Sequence, residues 1–147
     1  KSGIYSEFLK EISPKSQVFG QACPLFVPLV EEGWADDPVT EEIVRRYLGE
    51  LLCKDVDTVV LGCTHYPLLR KVIARVAGDA VELVNPAFES ARELRMVLEE
   101  NGLLNTEKNS LHHQFFVSDG AGKFREFANS ILPCEIIETK DVNVKTF

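Results

Sequence analysis

Apolar residues fall into two alternating rhythms along this chain, short β-branched runs and longer stretches in which they recur at helical spacing. The spacing predicts a helix over Ile4–Ile12 that ends before Pro14, then a strand over 17–22 and a short apolar helix over 24–32 stopped by Gly33. Pro38 and Thr40 open a further helix whose face Ile43, Val44, Tyr47, Leu48, Leu51 and Leu52 repeats at i, i+1, i+4, i+5. A strand over 57–61 and a helix over 66–77 follow. Gly78-Asp79 turns the chain into a strand over 81–84, and Asn85-Pro86 into a helix over 87–100, past which lies Asn101-Gly102. The polar residues 105–110 read as the most exposed connection. Beyond them come a strand over 114–118, a helix over 122–132 with the stripe Phe124, Phe127, Ala128 and Ile131, and a strand over 135–138. Alternation this regular implies an α/β fold, a mostly parallel sheet flanked by helices.

Composition narrows the class. With 147 residues, 45% of them hydrophobic, the chain can bury a core as one domain or two small pieces. Its apolar runs are broken within a few residues by Glu, Lys, Asp or Pro, far short of the ~20 residues that cross a bilayer, so a soluble protein without a membrane segment is expected. A net charge of -7 from scattered acidic residues argues against a nucleic-acid surface. Cys23, Cys53, Cys63 and Cys134 show neither zinc-type pairing nor the density of a disulfide scaffold, which favours a reducing cytoplasm. The chain opens without Met in a segment that already reads as structured, which raises the prospect of a longer parent.

Candidate chemistry concentrates at Val59-Val60-Leu61-Gly62-Cys63-Thr64-His65-Tyr66-Pro67. The strand entering this turn is nearly continuous in apolar character, as in a buried parallel strand. Pro67 then sits where a first helical turn tolerates a missing N–H, with Leu68, Leu69, Val72, Ile73 and Val76 at helical spacing after it. Cys63 is thus placed at the carboxyl end of a strand, the edge of an open α/β sheet where ligands bind. A helix N-terminus and a neighbouring imidazole both favour thiolate, and Cys63 is expected to have both. His65 could instead act on a substrate as acid or base. Thr64, with the backbone N–H groups of the turn, could hold a carboxylate, which suits an anionic small-molecule substrate.

Bland readings stand beside these. Spacing alone leaves Cys63 and His65 evenly divided between an active site and a core position. Cys53, on an apolar helix face, and Cys134 read as packing residues, and so does Cys23, although its place at a strand end echoes that of Cys63. Glu31-Glu32 reads by default as a solvated helix end, Asp119 as a turn or cap, and His112-His113 as solvated. One Cys-x-His pair lacks the second pair that zinc requires, so no metal is expected.

Leu61-Gly62-Cys63-Thr64-His65-Tyr66-Pro67-Leu68-Leu69 closely resembles the second cysteine motif of glutamate racemases, within the aspartate/glutamate racemase superfamily. Ala22-Cys23-Pro24-Leu25-Phe26-Val27-Pro28-Leu29-Val30-Glu31 resembles another stretch of that family. Lys1-Ser2-Gly3-Ile4-Tyr5 is similar to the end of its Ala-Thr-x-x-Thr-x-x-Ser-Gly-x-Tyr segment. Asn85-Pro86-Ala87 stands where the family has Asp-Pro-Ala or Asp-Ser-Ala, and Phe115-Phe116-Val117-Ser118-Asp119 is similar as well. The resemblance implies a cofactor-independent enzyme interconverting L- and D-glutamate, the D form serving peptidoglycan. In the family two cysteines flank the substrate Cα, one taking a proton from one face and the other delivering one to the opposite face. Carried over, Cys63 resembles the second thiol, His65 the histidine assisting it, Thr64 a substrate contact, and Glu31 the family glutamate on this side of the site; Glu32 matches nothing.

The family's first cysteine, in Ala-Cys-Asn-Thr-Ala, and its Asp-Ser-Gly motif do not occur here, and Cys23 matches a different family position. The resemblance therefore implies a C-terminal part. Residues 1–86 would form the second racemase domain and 87–147 the returning segment that completes the first, leaving the later residues without sheet partners. Alone the chain is expected to be an inactive half-site. The resemblance allows a homodimer. Aspartate or hydantoin racemase is the competing activity, and a non-catalytic small-anion-binding module the competing class.

Overall fold

In a computed structural model the described residues are 3–105 and 113–143. The chain divides into two compact units, Lys1–Ser90 and Ala91–Phe147, each α/β.

In the first unit, α1 (Ile4–Ile12) follows Gly3, whose φ of 70° lies in the left-handed region that glycine adopts at least cost. None of its residues is buried. α2 (Phe26–Glu31) turns Phe26, Leu29 and Val30 inward. Gly33, at φ 75°, ends that segment. Asp37 then caps α3 (Pro38–Leu52): its backbone is extended, its Oδ1 accepts from the Val39 N–H at 2.8 Å, and Pro38 fills a first-turn position where no N–H is needed. α3 buries Thr40, Val44 and Leu48, and the Thr40 hydroxyl is satisfied by donating to the Trp34 carbonyl at 2.7 Å.

The chain continues through β1 (Thr58–Val60), a 3-10 helix (Tyr66–Leu69), α4 (Arg70–Ala77) and β2 (Glu82–Val84). β1 and β2 pair in parallel, Val59 opposite Leu83, so their carboxyl ends lie at one edge. α3 packs on α4, and α2 on the 3-10 helix. Leu69, Val72 and Ile73 join Phe26 and Val44 in the core, each almost fully buried. At the rim the Glu41 carboxylate accepts from Arg45 one turn away at 2.7 Å and meets Arg75 of α4 at 3.3 Å.

The division between the units falls within α5 (Pro86–Glu100). The second unit pairs β3 (Phe115–Val117) in parallel with β4 (Thr139–Asp141), α6 (Ala121–Ile131) lying between them in sequence. Asp119 holds the turn before α6 through its Oδ1, which accepts from the Gly120 N–H at 2.7 Å, as a turn residue should.

Several expectations need correction. No strand forms over 17–22: among the described residues the sheet of the first unit has the strands β1 and β2 alone, and a segment containing Gly20 joins no ladder. β1 is shorter than 57–61 and is not a buried strand: Thr58 and Val60 are exposed, and full burial begins only at Leu61. The helix over 66–77 starts as a 3-10 segment in which the Arg70 N–H reaches back to the Pro67 carbonyl. The strand at 135–138 lies instead at Thr139–Asp141. Asn129 explains the shift, since its amide engages both backbone groups of Ile136, Oδ1 accepting at 2.7 Å and Nδ2 donating at 3.3 Å, which withdraws that residue from a ladder. Cys53 is exposed at the C-cap of α3 and Cys134 is exposed in the bend after α6, so neither is a packing residue, whereas Cys23 is buried. Asn105 and His113 are exposed; residues 106–110 and His112 lie outside the described residues.

Candidate active site

The site begins where β1 runs out. The Leu61 N–H extends the parallel ladder by one bond to the Val84 carbonyl at 2.9 Å. Tight turns then follow at once, Gly62 N–H to Val60 O and Cys63 N–H to Leu61 O, both at 2.9 Å, and Tyr66 N–H to Cys63 O at 3.2 Å. Backbone bonds thus tie Cys63 to the sheet edge on one side and to the 3-10 helix on the other. Arg70 fastens that helix to β2, donating from Nη1 to the Leu83 carbonyl at 2.7 Å. Cys63 itself is half-buried.

His65 projects from this turn toward α2. Its Nε2 lies 3.4 Å from Oε1 of Glu31, with 24% of the imidazole and 59% of the Glu31 side chain exposed, so the contact is an accessible ion-pair geometry and not a sealed one. On the other ring face of the network, Nδ1 is 3.3 Å from the Thr64 hydroxyl. Glu31 reaches this place because α2 is short and its Phe26, Leu29 and Val30 face the core, which leaves its last residue outward and beside the turn. Glu32, the next residue, is an exposed C-cap. Of the residues singled out from the sequence, the structure therefore brings Glu31, Thr64 and His65 into contact and sets Cys63 at the head of the same turn.

Two neighbours complete the surroundings. Burial pushes the Cys23 thiol up to about 11, so it stays protonated through neutral pH and its weak bond is a donation to the Gln21 carbonyl at 3.8 Å. Tyr66 was not among the residues singled out from the sequence, yet it connects both halves of the site: its hydroxyl donates to the Cys23 carbonyl at 3.2 Å. Its ring meets Phe26 edge-on at 5.1 Å, and Phe26 meets Tyr47 in the same way at 5.4 Å. Burial first, then the nearby Cys23 and Cys63, raise the Tyr66 hydroxyl above its ordinary value and keep it a donor. The signal available was an aromatic residue with a polar tip next to a candidate histidine, a residue type that seeks a partner when buried.

Asn85 follows β2 at the same sheet edge. Its side chain accepts from the Ala87 N–H at 3.1 Å and opens α5. Among the described residues no group of three or more His, Cys, Asp or Glu could hold a metal ion, and no helix is long and apolar enough to cross a membrane.

No family model matches the chain. It is 41% identical over 145 residues to the glutamate racemase of Geobacter metallireducens, covering 99% of this chain and 54% of that protein. It is 46% identical over 131 residues to that of Neisseria meningitidis serogroup A, covering 89% and 48%. Among solved structures it is similar to glutamate racemase from Francisella tularensis in complex with D-glutamate (TM-score 0.86, 31% identity, 97% of this chain and 53% of that one). The Thermus thermophilus glutamate racemase in complex with β-chloro-D-alanine gives a TM-score of 0.85 at 34% identity, over 99% and 53%. The chain spans about half the length of the curated relatives it matches.

Proposed function

The chain belongs to the glutamate racemase family, and on that premise we propose that it supplies the Cys63 side of a cofactor-independent site interconverting L- and D-glutamate. The observation that carries the reading is the 3.4 Å meeting of His65 and Glu31, from segments far apart in sequence, beside a half-buried thiol at the carboxyl end of a parallel strand. Cys63 as thiolate takes the Cα proton from one face of the substrate and becomes thiol. A second thiol gives its proton to the opposite face and becomes thiolate, so one C–H bond breaks, another forms, and the charge is conserved. Inversion at carbon needs two such groups on opposite sides. His65 assists Cys63, Glu31 orients the imidazole, and Thr64 binds substrate.

The motif of the opposing thiol does not occur in the 147 residues, so this chain alone is a half-site without racemase activity. Residues 1–86 act as the second racemase domain and 87–147 as a segment that completes the first. The native-length protein works in the cytoplasm, as a homodimer, supplying D-glutamate for peptidoglycan. Circular dichroism of L-glutamate and, separately, L-aspartate incubated with the native-length protein tests the reading. Decay of the glutamate signal alone supports it, and decay of neither rejects it. Substantial turnover by the 147 residues alone would reject the half-site.

A further inference from the structure

We propose that Tyr66 is a positioning residue: its hydroxyl, by donating to the Cys23 carbonyl, locks α2 to the Cys63 turn and so holds the Glu31 carboxylate against Nε2 of His65. This deepens the reading of Cys63 and His65 as a reacting pair and rests on it.

Tyr66 is fastened at two points. Its backbone N–H donates to the Cys63 carbonyl at 3.2 Å, within the turn that carries Thr64 and His65, and its side chain donates to the Cys23 carbonyl, also at 3.2 Å, across 43 positions of sequence. The Cys23 carbonyl is where α2 begins, since it also accepts the Phe26 N–H at 3.1 Å. From there α2 is a rigid helix of six residues that ends in Glu31. Such a helix is about 9 Å long, so an anchor at its first turn sets where its last carboxylate sits. Pinning also fixes the imidazole. A carboxylate can only accept, so its place beside Nε2 favours the neutral tautomer with the proton there, in which Nδ1 can accept from the Thr64 hydroxyl 3.3 Å away. Glu31 from α2 and Thr64 in the turn both meet this ring, at Nε2 and Nδ1.

The variant Tyr66→Phe removes one oxygen while keeping the ring against Phe26, and the Cys23 carbonyl retains its Phe26 partner. In native-length protein labelled with ¹⁵N-histidine, NMR of the neutral ring reads which nitrogen of His65 is protonated. The expected result is a wild-type ring held with its proton on Nε2 and a Tyr66→Phe ring relaxed to a mixture of tautomers. Turnover should fall with it, kcat by about tenfold and KM by less than about twofold, as for an interaction that aligns a reacting group. Glu31→Gln should produce the same spectrum, and the double variant no further change. A Tyr66→Phe protein that unfolds more easily but keeps the wild-type tautomer and kcat would overturn the proposal, as would a Glu31→Gln spectrum unlike that of Tyr66→Phe. Should the wild type turn over no glutamate, the racemase reading fails while the tautomer comparison still decides the part played by Tyr66.

Discussion

Up to Ser90 the chain buries Phe26, Val44, Leu69, Val72 and Ile73 almost completely, whereas from Ala91 on Ala128 and Ile136 are the only buried apolar side chains among the described residues. The first unit has a core of its own directly beneath the site, with α2, α3, α4 and the 3-10 helix all contributing to it. The second leaves Leu94, Met96, Val97, Leu103, Phe116 and Ile137 exposed. Among the described residues the second unit offers a two-stranded sheet, α6 and the part of α5 from Ala91 to Glu100, and on the proposed reading the apolar side chains these leave exposed meet a partner surface. The difference teaches that the turn with Cys63 and His65 rests on a buried core in its own unit, while the later segment buries few apolar side chains among the described residues, as the proposed role in completing another domain requires.

The largest effect expected is on the chemistry. Cys63→Ala in the native-length protein should lower racemisation by at least about a thousandfold, because no neighbouring group replaces a lost thiolate, while solvent exchange of the Cα proton persists in one direction. Unimpaired racemisation would reject the role given to Cys63. Next comes the supporting core. Phe26 is 1% exposed and joins Tyr66 to Tyr47, so Phe26→Ala should cost about 3–5 kcal/mol in denaturant unfolding. Phe116, at 53% exposure in the second unit, should cost less than about 0.5 kcal/mol on the same change in the 147-residue chain. Equal costs would erase the contrast between the units.

Cys23 gives a smaller, pH-dependent handle on the first unit. Its thiol is raised from 9.0 to about 11 by burial, so folding favours the protonated form. That contribution is fully present below pH 9 and is lost as the pH rises toward about 11, where the buried thiol must ionise or the chain open. Unfolding curves collected between those limits should show stability falling with pH, and Cys23→Ala should flatten the fall even though it weakens packing. At pH 8 a thiol reagent should modify exposed Cys53 and Cys134 on mixing and Cys23 only as the unit opens.

What the sequence made legible was the local part. Ile4–Ile12 has the bounds that its spacing gives, and the Asp37-Pro38 cap and the Gly33 stop are signals contained within a few residues. Strands were less legible because a strand exists only through its partner. Nothing within 17–22 reveals that no ladder is available, and nothing within 135–138 reveals that Asn129, seven positions earlier, takes the backbone of Ile136. The site divides in the same way. Cys63, Thr64 and His65 are contiguous and could be read together, but Glu31 stood out only through family resemblance, since its own neighbourhood looks like a solvated helix end. For Tyr66 the residue type was a signal, but the partner of its hydroxyl was not legible because that acceptor lies 43 positions away.

The smallest effect is the most diagnostic of the second unit. Ile137 is 80% exposed, just before β4. In the 147-residue chain Ile137→Ser should change unfolding by less than about 0.5 kcal/mol, since little apolar area leaves or enters water. If residues 87–147 complete another domain, as proposed, the side chain is covered in the native-length protein, and the same substitution there should cost about 2 kcal/mol or more. Measuring both proteins in the same denaturant separates the two situations, because a side chain exposed in each would give equal, near-zero differences. Equal differences would mean that the bare apolar surface is the unit's finished exterior, and the contrast with the larger buried core of the first unit would then be one of stability and not of context.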